Sequence, residues 1–395
     1  MSDAIGEPDV KFYYMSLMPY TRLPENEADY ASLWVDFPNR LYDPVHGHAL
    51  LNRYLDEYVE ADRLGFDGVV VNEHHSTAYS LKPTTNLVAS ALIQRTRRAR
   101  ICVMGSLLNV QYPNRLAEEY ALLDVMAAGR FECAFPFGTG MEYWSNAAQI
   151  NPATARARFR ESLDLLVRAW TEDGPFSHDG EFYNYKYLNI WPRPYQRPHP
   201  KIFLVGGGSA ETIDFAAQRG HGYSLVLVPK EAQDAAYTRY KKKRAEHGNP
   251  AQPDDMILTI LCYVAETDQI ARREYEPHVL WMFNKALRTE LRYLAPPGYL
   301  SESALRRQLE AGGALYTKGP GSLEWDDIQN LRLVAGSPDT VVRVVKQWLE
   351  ETGAGRVIAL LHAGDMPHWK TVKNMQLFAE EVIPRLRSRP AEVQS

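Results

Sequence analysis

Gly68-Val69-Val70-Val71-Asn72-Glu73-His74-His75 is the stretch from which the fold can be read. Its opening apolar run lacks the polar alternation of a half-exposed strand, so both faces must be covered. That is the situation of a strand in a parallel sheet flanked by helices. The residues before it fit that setting. His48 to Leu64 carries helical spacing and stops at Gly65, a glycine placed to end a helix. A strand-length run, Val10 to Ser16, lies upstream, separated from the helix by an insertion over about 19–46 rich in Pro, Asn, Asp and Tyr.

The alternation continues downstream. Helix over 86–95 and strand over 101–104 precede helix over 115–128, closed by Gly129, and strand over 131–135. A long helix over 154–172 leads into an aromatic- and proline-rich stretch, about 174–199, read as an insertion with room for a hairpin. Strand 202–205 runs into Gly206-Gly207-Gly208 and a helix over 209–219. Strand 223–228 precedes a helix over 231–247, whose Lys241-Lys242-Lys243-Arg244 run is a solvated helix end. Strand 256–264 and helix 268–287 follow, and then about 290–333 breaks the rhythm as functional lids and loops do. Ser337-Pro338 sets an N-cap and a proline at a helix start, 357–361 is the eighth strand, and 375–386 the closing helix. Eight strands, each followed by helix, predict an α/β fold: one (β/α)8 TIM-barrel domain over 1–395, with insertions after strands 1, 4 and 7.

Composition narrows the function. The 395 residues can bury a large core without staples, and 45% apolar with 24% charged residues is the balance of a globular protein. A net charge of −5 argues against nucleic-acid and anionic-membrane partners, and no apolar run is long enough to span a bilayer. Cys102, Cys133 and Cys262 are far apart and odd in number, which disfavours disulfides and zinc. With no leader visible at Met1, a cytoplasmic setting is expected.

In such barrels chemistry sits at the C-terminal ends of the strands. Glu73-His74-His75 falls there, and supplies proton donors, hydrogen-bond donors or metal ligands. Consecutive residues point in different directions, so one histidine is expected to face the pocket. The plain alternative is that these side chains merely cap the strand. A metal is disfavoured because no second cluster of ligands stands at the right spacing. Gly206-Gly207-Gly208-Ser209 opens a helix, and with Thr212 it makes either a phosphate cradle or a tight turn needing glycine. It is neither a P-loop nor a dinucleotide fingerprint. Gly105, inside Met104-Gly105-Ser106, marks either a close approach of backbone to a flat ligand or simple barrel packing.

In order along the chain stand Leu64-Gly65-Phe66-Asp67, Glu73-His74-His75, and Pro113 with Arg115 and Ala117-Glu118-Glu119. Leu122-Leu123-Asp124, Gly129-Arg130-Phe131, Pro192-Arg193-Pro194 with Gln196 and Pro198-His199-Pro200, Ala216-Ala217 with Arg219-Gly220, and Gly336-Ser337-Pro338-Asp339 follow. Taken in that order, the chain resembles the bacterial luciferase-like flavin monooxygenases. The resemblance implies a (β/α)8 barrel binding FMN as reduced FMNH2 from a separate flavin reductase. It also implies O2 and a C4a-(hydro)peroxyflavin that oxygenates a small organic substrate.

The resemblance places the catalytic histidine at His74, with Glu73 and His75 fixing its orientation. It places the flavin ring against a non-prolyl cis peptide at Met104-Gly105, with Ser106 near the ring, and the phosphate at Gly207, Gly208, Ser209 and Thr212. A homodimer through the early helices is also implied. Two departures stand out. Pro136 and Phe137 occupy the positions of a reactive cysteine and a phosphate-binding arginine, so phosphate binding must rest on backbone N–H groups or a cation from elsewhere. The 19–46 insertion exceeds the luciferase pattern and abuts the mouth, so a substrate other than a fatty aldehyde is expected. Alternatives on the same barrel are a deazaflavin-dependent hydride-transfer oxidoreductase and a non-catalytic flavin-binding protein.

Overall fold

Strands β1 (Lys11–Met15), β2 (Gly68–Asn72), β3 (Arg100–Met104) and β4 (Phe131–Pro136) pair in parallel, each with the next. The computed structural model describes residues 10–26, 29–146, 150–302, 306 and 322–387. Between β4 and the next barrel strand, β5 (Phe176–Asp179) and β6 (Asn184–Leu188) form a separate antiparallel hairpin, which is the expected content of the 174–199 insertion. The barrel resumes with β7 (Lys201–Gly206), β8 (Gly222–Leu225) and β9 (Met256–Val264). A short β10 (Leu333–Gly336) and then β11 (Arg356–Leu360) follow, and β11 pairs with both β9 and β1 to close the ring. The eight barrel strands are the eight expected.

β10 was not expected, because 290–333 read as a loop. Ile257 pairs with Ser224 and Arg356, while Leu261 pairs with Leu333 and Leu360. β10 therefore continues along the edge of β9 above the point where β8 stops. β8 is shorter than the predicted 223–228 because Leu227 takes a left-handed φ of 52° and turns the chain. Much of the 303–321 stretch lies outside the described residues.

The connecting helices are α1 (Pro44–Leu64), α2 (Thr85–Arg95), α3 (Pro113–Met126), α4 (Gly140–Asn146) and α5 (Ala155–Thr171). They continue as α6 (Ala210–Arg219), α7 (Lys230–Glu246), α8 (Asp268–Trp281), α9 (Leu291–Leu294) and α10 (Trp325–Ile328). The last are α11 (Pro338–Thr352), α12 (His368–Leu377) and α13 (Ile383–Arg387). α1 starts four residues before the predicted His48, because Asp43 caps Val45 and His46 and Pro44 takes the first helical position. Its end at Gly65, with φ 88°, is the one read from sequence.

Alternation along each strand divides the core in two. Phe12, Tyr14, Val69, Val71, Ile101 and Val103 face the helices, while Tyr13, Met15, Val70, Cys102, Met104 and Ala134 fill the barrel. All three cysteines are free and buried. The N-terminal end of the barrel is closed by charge. Glu132, 1% exposed, accepts from Arg100 at 2.6 Å, from Tyr13 at 2.9 Å and from Arg356 at 2.9 and 3.0 Å, and Arg356 also binds Asp254. Among the described residues no helix is long and apolar enough to cross a membrane.

Candidate active site

Leaving β2, successive side chains diverge, as the strand's alternation requires. His74 Nδ1 lies 3.2 Å from Glu142 Oε1, and His75 Nε2 lies 2.7 Å from Glu73 Oε1. Glu73 was expected to orient His74, and His75 to assist. Among the described residues neither makes a hydrogen bond to it. Both oxygens of Glu73 are engaged elsewhere, Oε1 with His75 and Oε2 with the Ser106 N–H. Glu73 thereby ties the β2 loop to the β3 loop, a structural task that its place beside the histidines conceals in the sequence. Burial disfavours charge on His75, but the hydrogen bond and charge of Glu73 prevail and raise its pKa.

Gly105 explains itself by contact. A Cβ there would lie 2.8 Å from both Glu73 Cβ and Thr85 Cγ2, so only glycine lets the two loops approach this closely. Ser106 then turns in the left-handed region at φ 57°, costing a non-glycine residue about 1–2 kcal/mol. The turn is held by the Glu73 contact, by Ser106 Oγ to Asn86 at 3.4 Å, and by Tyr120 donating to the Gly105 carbonyl at 3.1 Å. The Met104–Gly105 peptide is not cis. The cis bonds among the described residues all precede proline. Reversal of direction is accomplished instead by the φ of Ser106.

His74 sits in an aromatic frame. Its ring is 4.8 Å from Tyr79 and 6.2 Å from Trp34, and those two meet edge to face at 5.0 Å. Trp34 belongs to the 19–46 insertion, which does cover the mouth. Leu33 N–H donates to Lys285 O at 3.0 Å, and Ala78 N–H to Leu33 O at 3.0 Å. On the other side α4 brings Glu142, and Tyr299 caps it by donating to Gly138 O and stacking on Phe137 at 5.3 Å. Trp34 Nε1 and Glu142 Oε2 are buried with no hydrogen-bond partner among the described residues.

The glycine turn after β7 is built as expected. Gly208 has φ 90°, Gly207 has open space where a side chain would be, and Ser209 caps α6 by accepting from Thr212 N at 3.4 Å. Two arginines stand nearby. Arg156 and Arg160, successive turns of α5, line a shallow open hollow together with Thr212, Glu211, Phe137 and Phe215. Arg156 lies 4.9 Å over the Phe137 ring and Arg160 5.4 Å over Phe215. Among the described residues neither is paired with a carboxylate, so their charge is available to an anion and opposed by Glu211.

Sequence reasoning missed Glu142, Trp34, Arg156 and Arg160. Only α4 left a trace, in Gly138-Thr139-Gly140, where Thr139 O accepts from Glu142 N. Lys82 is a further surprise. It is fully buried, donating to Ser16 O at 3.1 Å, Leu17 O at 2.8 Å and Ser80 Oγ at 3.2 Å, and burial holds its pKa well down. Among the described residues no three His, Cys, Asp or Glu side chains gather as a metal site.

A family model described as luciferase-like monooxygenase matches residues 35–356, and the chain belongs to that family. It is 23% identical to the alkanal monooxygenase alpha chain of Photobacterium leiognathi over 351 residues, covering 86% of this chain and 94% of the relative. Among solved structures it resembles the oxygenating constituent of 3,6-diketocamphane monooxygenase from Pseudomonas putida, a type II Baeyer–Villiger enzyme in complex with FMN. The TM-score is 0.67 at 20% identity, over 95% of this chain and 98% of that one. The same fold appears in an F420-dependent secondary alcohol dehydrogenase, with TM-score 0.65 at 17% identity, over 96% and 100% of the two chains.

Proposed function

We propose that this chain is the oxygenase component of a two-component, FMN-dependent monooxygenase acting on a small organic substrate. A separate flavin reductase would deliver FMNH2. The observation that carries the reading is His74 at the barrel mouth, walled by aromatics and with Nε2 unpartnered among the described residues. When bound, reduced FMN would supply the electrons with which O2 is activated for transfer of one oxygen atom. His74 offers Nε2 to exchange a proton with an oxygen there, taking it as the neutral ring and returning it as the charged one. Trp34 and Tyr79 narrow its access to water and favour a flat, largely apolar substrate.

The residues present fit the cofactor. Gly105, Ser106 and Met104 form the wall against which the ring would lie. Gly207, Gly208, Ser209 and Thr212 would take the phosphate, with Arg156 and Arg160 replacing the arginine lost at Phe137. Three buried thiols suit a reducing cytoplasm. Leu87 on α2 and Leu122, Val125 and Met126 on α3 are exposed, which suits burial against a second copy. Sedimentation is therefore expected to give twice the 45.0 kDa chain mass. A monomer at micromolar concentration would refute the dimer.

Anaerobic titration tests the cofactor. Reduced FMN should bind at least tenfold more tightly than reduced deazaflavin F420, and the reverse order would favour the hydride-transfer reading. Arg160→Ala and Arg156→Ala should each weaken FMN by about 1.5–3 kcal/mol, the worth of a charge-assisted hydrogen bond. Riboflavin, which lacks the phosphate, should be indifferent to both substitutions.

A further inference from the structure

We propose that Glu142 is the positioning residue for His74: it fixes the tautomer with hydrogen on Nδ1 and leaves Nε2 to meet the substrate. The inference rests on the role given to His74 above. Glu142 Oε1 is 3.2 Å from Nδ1, and among the described residues it is the imidazole's hydrogen-bond partner. Trp34 and Tyr79 meet the ring through aromatic contacts. Glu73, the carboxylate next to His74 in sequence, is spent on His75 and Ser106. The carboxylate side chain is 2% exposed and the imidazole 22%, so the pair runs from a buried anchor to a ring that reaches the mouth.

Burial of Glu142 is hard to explain as structure. Among the described residues its Oε2 has no hydrogen-bond partner, and its Oε1 is given to His74. A carboxylate so placed loses its hydration and recovers little of it, a situation that costs stability and is kept where a site requires it. What it supplies is tautomer control. A neutral imidazole carries its proton on the nitrogen that has an acceptor, and a carboxylate at Nδ1 settles that choice. Proton exchange is thereby confined to Nε2.

The tautomer can be read directly from ¹⁵N shifts of histidine-labelled protein at alkaline pH, with His74 assigned among the 11 histidines by its loss in His74→Asn. The wild type and Glu142→Asp, which keeps the carboxylate, should show hydrogen on Nδ1. Glu142→Leu should show it on Nε2, melt no lower than the wild type, and lose about 10- to 100-fold in oxygenation rate, the effect of removing a group that orients a reactive imidazole. A wild type with hydrogen on Nε2 would overturn the proposal, even if Glu142→Leu failed to fold. So would an Nδ1 hydrogen retained in Glu142→Leu, or a lowered melting point there with the tautomer unchanged. Failure of the His74 assignment is separate: His74→Ala would then oxygenate normally, whatever the tautomer.

Discussion

His74→Ala is expected to slow oxygen transfer by about 100- to 10,000-fold, the contribution of a positioned acid–base group, while leaving reduced FMN bound within about twofold. The second half of that expectation is the informative one. His74 contacts Glu142, Trp34 and Tyr79, and none of these belongs to the Gly105–Ser106 turn or to the Gly207–Thr212 cradle. Deleting the imidazole should therefore remove chemistry without removing the cofactor. The measurement is incorporation of ¹⁸O from ¹⁸O2 into a panel of aldehydes and cyclic ketones, with reduced FMN supplied chemically so that no reductase is needed. A rate unchanged by the substitution would reject His74 as the acid–base group.

At the opposite end of the barrel, Glu132→Ala should destabilise the fold by about 3–5 kcal/mol, because it removes the buried carboxylate on which Arg356, Arg100 and Tyr13 converge. Arg356 is 3% exposed, and four hydrogen bonds from Arg356, Arg100 and Tyr13 converge on the Glu132 carboxylate. Loss of one surface ion pair would cost 1 kcal/mol at most, so urea unfolding separates the two cases. A loss under about 1 kcal/mol would show that the cluster is not acting as a buried network.

The same group sets a pH dependence. Burial pushes the Glu132 carboxyl up, but Arg356 and Arg100 outweigh it and hold it below the ordinary value. A depressed acid stabilises the folded state above its unfolded pKa, about 4.3. That stability is lost as pH falls through the lower folded value. Glu132→Gln should therefore lose less stability than wild type on acidification from pH 5. An equal acid slope in the two proteins would show that other carboxylates carry it.

What the sequence determined by itself was the order of strands and helices, and with it the barrel. Gly68-Val69-Val70-Val71 and its counterparts carry their information locally: an apolar run of strand length must be covered on both faces, whatever its neighbours are. β10 escaped because four residues that pair only with the upper half of β9 carry no period of their own. The start of α1 was legible in Asp43-Pro44 but was absorbed into the insertion before it. The position of Glu73-His74-His75 at the mouth, and the Ser209 cap after the glycines, also followed from local order. The partnerships did not. His74 and Glu142 are 68 residues apart, and Arg160 reaches the edge of the Thr212 hollow from a different βα unit. Closure of the ring brings such pairs together, so adjacency in sequence pointed to Glu73 where distance in space points to Glu142. Hydrogen bonds and charges act over a few ångströms, and only the tertiary structure decides which groups come within that range.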